Sequence, residues 1–94
     1  MPAYSVAILS VSNQEKYQEY AKLAGPAVAK YGGKFLFRGA KPAVMEGRFD
    51  YERMVVVEFP DAEAAKKYYH SPEYQEAKSK RMGAADFNLF VLEG

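Results

Sequence analysis

The strand-like segments of this chain are apolar on both faces, and nothing else in the sequence constrains the fold as tightly. Tyr4-Ser5-Val6-Ala7-Ile8-Leu9-Ser10-Val11, Met54-Val55-Val56-Val57-Glu58-Phe59 and Phe87-Asn88-Leu89-Phe90-Val91-Leu92 lack the apolar–polar alternation of a sheet with one wet face. Both faces therefore need cover. A chain of 94 residues has room for two helical stretches, enough for one face. The other face is expected to meet a second copy of the sheet, so the sequence predicts a homodimer joined through its sheet faces. A domain this short buries roughly 60% of its unfolded surface, and an interface adds core that the monomer lacks.

Composition narrows the function classes. Thirteen Lys and Arg against twelve Asp and Glu leave no field to draw the chain to nucleic acid or to an anionic membrane. Absence of cysteine excludes disulfides, thiolate nucleophiles and Cys-ligated metals. No segment approaches the ~20 apolar residues of a membrane span. Met1-Pro2-Ala3-Tyr4 lacks the basic n-region of a signal peptide, which gives cytoplasmic localisation as the expectation. Eight Tyr and six Phe suggest partly exposed aromatic surface, at helices or in a pocket wall.

The elements follow from local signals. A first strand is expected over about Ala3 to Val11. Ser12-Asn13-Gln14-Glu15 has the S-x-x-E form of a capping box. The helix after it carries Tyr17, Tyr20, Ala21, Ala24, Val28 and Tyr31 on one stripe. Pro26 lacks an N–H and crowds the preceding turn, so a kink or a restart is expected at Gly25-Pro26. Gly32-Gly33 ends the helix, one of them in the left-handed conformation. A second strand starts at Lys34 and runs through Arg38 toward Met45, with a break at Gly39 or Pro42. Gly47-Arg48-Phe49-Asp50 reads as a hairpin connection to a third strand, about Glu52 to Phe59. Asp61 caps a helix over Ala62 to His70, and Ser71-Pro72-Glu73 is a second start signal, for a segment ending at Gly83. The last strand is Phe87 to Leu92. The order β-α-β-β-α-β over residues 1–94 is an α+β, ferredoxin-like arrangement in one domain. Its sheet order is 4-1-3-2 with both helices on one face.

With the elements in place, the chain resembles a bacterial family, domain of unknown function 1330. The likeness is carried by Lys30-Tyr31-Gly32-Gly33-Lys34-Phe35-Leu36-Phe37-Arg38-Gly39 and by Glu52-Arg53 through Glu58-Phe59-Pro60. Tyr69-His70-Ser71-Pro72-Glu73-Tyr74 and the ending from Asp86 to Glu93-Gly94 extend it over nearly the whole chain. The resemblance implies a dimeric α+β barrel. That superfamily also holds cofactor-free monooxygenases, muconolactone-isomerase-like proteins, stress-responsive barrel proteins and haem-dependent chlorite dismutases. The family has no established reaction, so the resemblance transfers no catalytic residue.

Arg38, Glu58, Asn88 and His70 are the candidate site residues. Arg38, placed on the same side of its strand as Leu36, should stand near Glu58 across the hairpin. Such a pair either holds an anionic substrate group in bidentate fashion or fixes strand register. Glu58 on a sheet face must be paired or act as a pocket acid. Asn88 interrupts an apolar strand and is expected to face a cavity. His70 is the only histidine and the most natural general base, against a structural role at a helix C-terminus. It lacks the further ligands that zinc or non-haem iron needs, and the chain is too short to suggest a haem-sized cavity, so neither metal nor cofactor is expected. The strand centre Val55-Val56-Val57 lacks the stacking aromatics of an RNA-recognition sheet. The basic cluster Lys66, Lys67, Lys78, Lys80 and Arg81, interleaved with Glu63, Glu73 and Glu76, reads as a solvated helix surface. Two functions remain. One is a small-molecule site between sheet and helices near Gly25-Pro26, with cofactor-free oxidoreductase- or isomerase-like chemistry. The other is a non-catalytic interaction module whose apolar sheet face serves only dimerisation.

Overall fold

The computed structural model describes residues 1–94 as β1 (Ala3–Val11), α1 (Gln14–Lys30), β2 (Lys34–Ala40), β3 (Arg53–Phe59), α2 (Ala62–His70), α3 (Pro72–Arg81) and β4 (Ala85–Glu93). The four strands form one antiparallel sheet in the order β2-β3-β1-β4, the ferredoxin-like order expected from right-handed crossovers. The second helical stretch is divided at Ser71, whose hydroxyl accepts from the Tyr74 N–H at 3.0 Å while Pro72 opens α3. No helix is long and apolar enough to cross a membrane.

Local chemistry sets the ends of the elements. The α1 cap is Asn13 and not Ser12: its side chain accepts from the Lys16 N–H at 3.2 Å. The expected restart at Pro26 is absent, since α1 continues through that residue to Lys30. Gly32, at φ +80°, provides the left-handed exit, and Gly33 N–H donates back to the Val28 carbonyl at 2.8 Å. The hairpin connection expected at Gly47 to Asp50 does join the antiparallel pair β2 and β3, but as a longer link over residues 41–52.

The start of α3 is tied to the end of α1 by Glu73, which accepts from Lys30 Nζ and, at 2.9 Å, from the Tyr31 hydroxyl. The Lys30 hydrogen bond, helped by a backbone donor and by Tyr31, lowers the Glu73 carboxyl to a pKa of about 2. A depressed carboxylate stabilises the fold above its ordinary titration range, and that contribution is lost as pH falls through about 2. The carbon resonance of this carboxyl is expected to titrate near pH 2, and Lys30→Met should return the midpoint toward the ordinary range. An ordinary midpoint in the wild type would show that the helix ends are not linked in solution.

Ladder register divides the sheet into faces. On one face Ala3, Ser5, Ala7 and Leu9 alternate along β1 and are buried with Val57 and Phe59 beneath the helices. Val28, Tyr74 and Tyr68 complete that core from the helix side. The opposite face is bare. Across its middle runs a row contributed by every strand: Phe37, Val56, Val6 and Phe90. Phe37 is 56% exposed and Phe90 52% exposed. The fold is thin, spanning 31 × 31 × 16 Å between Cα atoms, as expected for one sheet and one helix layer.

Candidate functional site

Two cavities lie on the helix side of the sheet. The inner one, of about 180 Å³, sits between α1 and the strands, and its wall includes Gly25, the place expected from the sequence. The outer one, of about 580 Å³, lies beside α2, α3 and β4. Ser5, Tyr68, Phe87 and Leu89 border both.

Arg38 reaches the inner cavity, but not beside Glu58. Its ladder partner is Val55, and Glu58 stands opposite Lys34. Irregularities between Phe35 and Phe37, and between Arg38 and Ala40, shift the register. Arg38 consequently shares its face with Phe35, not Leu36, and its guanidinium lies 4.1 Å from the centre of the Phe35 ring. Glu58 falls on the bare face, where it accepts from the Tyr4 hydroxyl at 3.4 Å. The expected Arg38–Glu58 pair does not form.

Asn88 is also displaced from its expected place. It pairs with Ile8 on the bare face and lines neither cavity, and its Nδ2 is buried with no hydrogen-bond partner. His70 is exposed at the end of α2, stacked edge-on against Tyr69, and borders the outer cavity. Arg38 and His70 thus line different cavities, while Glu58 and Asn88 line neither.

Arg53 is the partner that sequence reasoning missed. Its residue pairs with Leu9 on the helix side, so it projects toward the same cavity as Arg38. Its guanidinium lies 5.3 Å from the Tyr17 ring centre and donates to Gln14 Oε1 at 3.4 Å. A signal was present: Arg53, Val55 and Val57 alternate, which places all three on one strand face. Neither Arg38 nor Arg53 has a carboxylate within 4.0 Å; the ion pairs of the chain are Lys30–Glu73 and Arg48–Asp50.

The depth of the inner cavity is tyrosine. Tyr20 and Tyr74 hydroxyls share a hydrogen bond of 3.1 Å, and Tyr68 packs against Tyr74 with ring centres 4.8 Å apart. Burial raises the pKa of Tyr20 and Tyr68 well above the ordinary phenol value, and neighbouring phenols add to the effect. Burial also raises Tyr17, against the opposing pull of Arg53 and Arg81. These phenols remain protonated at neutral pH and act as hydrogen-bond donors or acceptors rather than as bases. No carboxylate or imidazole lines this cavity. Two cations at the rim, a phenolic floor and apolar walls can hold an acidic group at one end and a ring at the other.

Comparison with known proteins places the fold. The model of the family described as domain of unknown function (DUF1330) matches residues 2–94. A protein of unknown function from Rhodopseudomonas palustris is similar in structure, with a TM-score of 0.78 and 23% identity over 99% of this chain and 82% of that one. A dimeric ferredoxin-like protein of unknown function from Jannaschia sp. CCS1 gives a TM-score of 0.76 at 16% identity, over 100% of both chains. SnoaB, a cofactor-independent oxygenase from Streptomyces nogalater, gives 0.66 at 11% identity, over 99% of this chain and 92% of that one. No curated protein matches the chain.

Proposed function

The chain belongs to the DUF1330 family, and on that footing we propose that it works as a homodimer binding a small acidic molecule between its helices and its sheet. One observation carries the reading: Arg38 and Arg53 border the same cavity and neither is neutralised by a carboxylate. A guanidinium fork matches a carboxylate in bidentate fashion, and stacking on Phe35 or Tyr17 holds each fork in place. The volume sets the size of the ligand. A cavity of roughly 150 Å³ holds a benzene-sized molecule, so about 180 Å³ suits a single-ring acid.

The bare apolar row supports the homodimer, as does the likeness to the dimeric ferredoxin-like protein from Jannaschia. Cofactor-free chemistry is consistent with the fold shared with an oxygenase of that kind. In the inner cavity it would rest on a substrate acidic enough to ionise without a protein carboxylate or imidazole. The arginines and phenols would then stabilise the anion formed.

Calorimetry with benzoate, against benzyl alcohol as the neutral analogue, tests the binding. Benzoate is expected to bind at least about tenfold more tightly, as for a hydrogen bond to a charged group. Arg38→Met should remove that preference while leaving the fold intact, because Arg38 is exposed. Equal binding of the acid and the alcohol, or an unchanged preference in Arg38→Met, would overturn the assignment. Failure of a wider set of small acids to raise the melting temperature would favour an interaction module whose apolar surface serves self-association alone.

A further inference from the structure

The outer cavity contains a charge that the fold leaves uncompensated. Arg81 is the one charged side chain among the buried residues, 7% exposed, and it borders this cavity. Its Nη2 donates to the Tyr74 hydroxyl at 3.2 Å, whereas Nε is buried with no partner. The guanidinium lies 3.7 Å from the Phe87 ring centre and 5.1 Å from that of Tyr20. No carboxylate approaches it within ion-pair distance. Stacking on aromatic faces offsets part of the cost of burying a cation, but a missing counter-charge leaves the rest.

The surroundings indicate what would complete it. Lys66 and Lys78 border the same cavity, and Lys78 Nζ is held by the Tyr69 hydroxyl at 3.0 Å. Asp86 is the only carboxylate in the lining. Three cations against one carboxylate leave two positive charges uncompensated. A single carboxylate ligand would neutralise half of that excess, whereas a phosphate monoester approaches two negative charges at neutral pH. Apolar side chains at Leu89 and Val91 line the remainder, and about 580 Å³ lies within the range of small-molecule sites.

We propose that the outer cavity is a second ligand site, taking a small phosphate monoester whose phosphate meets Arg81, Lys66 and Lys78 while its apolar body lies along β4. The site shares a wall with the inner cavity, but none of its three cations lines that cavity. Arg81 contributes directional donors from a position fixed by Phe87 and Tyr74. The two lysines contribute charge from the rim.

Nuclear magnetic resonance of the full chain, titrated with phenyl phosphate and separately with phenol, tests the site through the Arg81 Nε–H signal. Phenyl phosphate is expected to move that signal saturably and to bind about tenfold or more tightly than phenol. Lys66 is exposed, so Lys66→Glu should fold normally and weaken phosphate binding severalfold, and Arg38→Met should leave the Arg81 response unchanged. Arg81→Gln should abolish the phosphate preference; if that variant fails to fold, the Nε–H signal and Lys66→Glu still decide. A stationary Arg81 signal, equal affinity for phenol, or unaltered binding by Lys66→Glu would each overturn the proposal. Loss of benzoate binding at the inner cavity with this response intact would refute only the inner-cavity reading.

Discussion

A chain carrying glutamate in place of Val56 is expected to sediment as a 10.6 kDa monomer, and the wild type, as the proposed homodimer, at twice that mass. Val56 lies in the row Phe37–Val56–Val6–Phe90 across the bare face, with Phe37 and Val6 as its neighbours in the two ladders. In a face-to-face dimer that row is enclosed, and a carboxylate from each copy enters a region without a cation in the row to meet it. Removing an unpaired charge from water costs at least several kcal/mol, so association should weaken by about a thousandfold or more. In the monomer the same side chain projects from the uncovered face into water, which leaves the helix-side core untouched. Circular dichroism should therefore remain that of the folded protein while the mass halves. A wild-type mass for Val56→Glu would place the contact between copies on another surface.

Alanine at Gly33 is expected to lower stability by about 1–3 kcal/mol, the usual range for overpacking a filled core. The reason is space rather than backbone freedom. A Cβ at this position would lie 2.7 Å from Val28 Cγ1 and 2.8 Å from Phe59 Cε1. Val28 is 2% exposed and Phe59 1% exposed, so neither side chain can swing into solvent. Gly32 differs: it needs its positive φ, but its nearest obstacle is a proline ring atom at 3.6 Å. For a domain of this size each kcal/mol corresponds to roughly 4–8 °C, so thermal unfolding of Gly33→Ala should occur about 5–20 °C below the wild type. An unchanged midpoint would mean that β2 leaves α1 by a path with more room than the packing here allows.

Much of the fold was legible because it rests on short-range chemistry. Asp61, Ser71-Pro72 and Gly32-Gly33 act on backbone groups within a few residues, and the element boundaries they imply agree with the structure. The Asn13 cap, one residue beyond the Ser12 expected, shows the limit of such reading. Both residues carry a suitable oxygen, and only the trajectory of the incoming strand selects between them. A cavity lies beside Gly25, where the sequence pointed, but Arg38 reaches its wall only through the irregular pairing of β2, since strand position alone put it on the side of Leu36.

What the sequence by itself determined is the order of the elements and the two-sided apolar character of the strands, since periodicity and caps are local properties. Tertiary structure alone decided which polar residues meet. Irregularities around Leu36 and Gly39 change the pairing of β2 with β3, and a one-residue slip sends a side chain to the opposite face. Arg38 therefore faces the helices, on the side opposite Glu58 and Asn88, whose ladders with β1 are regular. Arg81 marks the same boundary from the helix side. The spacing Tyr74, Ala77, Arg81 places it on the buried stripe of α3, yet the charged residues around it made the helix read as solvated. It is buried because Phe87 of β4 and Tyr20 of α1, far apart in the sequence, both lie against the guanidinium. Contacts of that kind depend on how separate elements converge, which local sequence patterns do not encode.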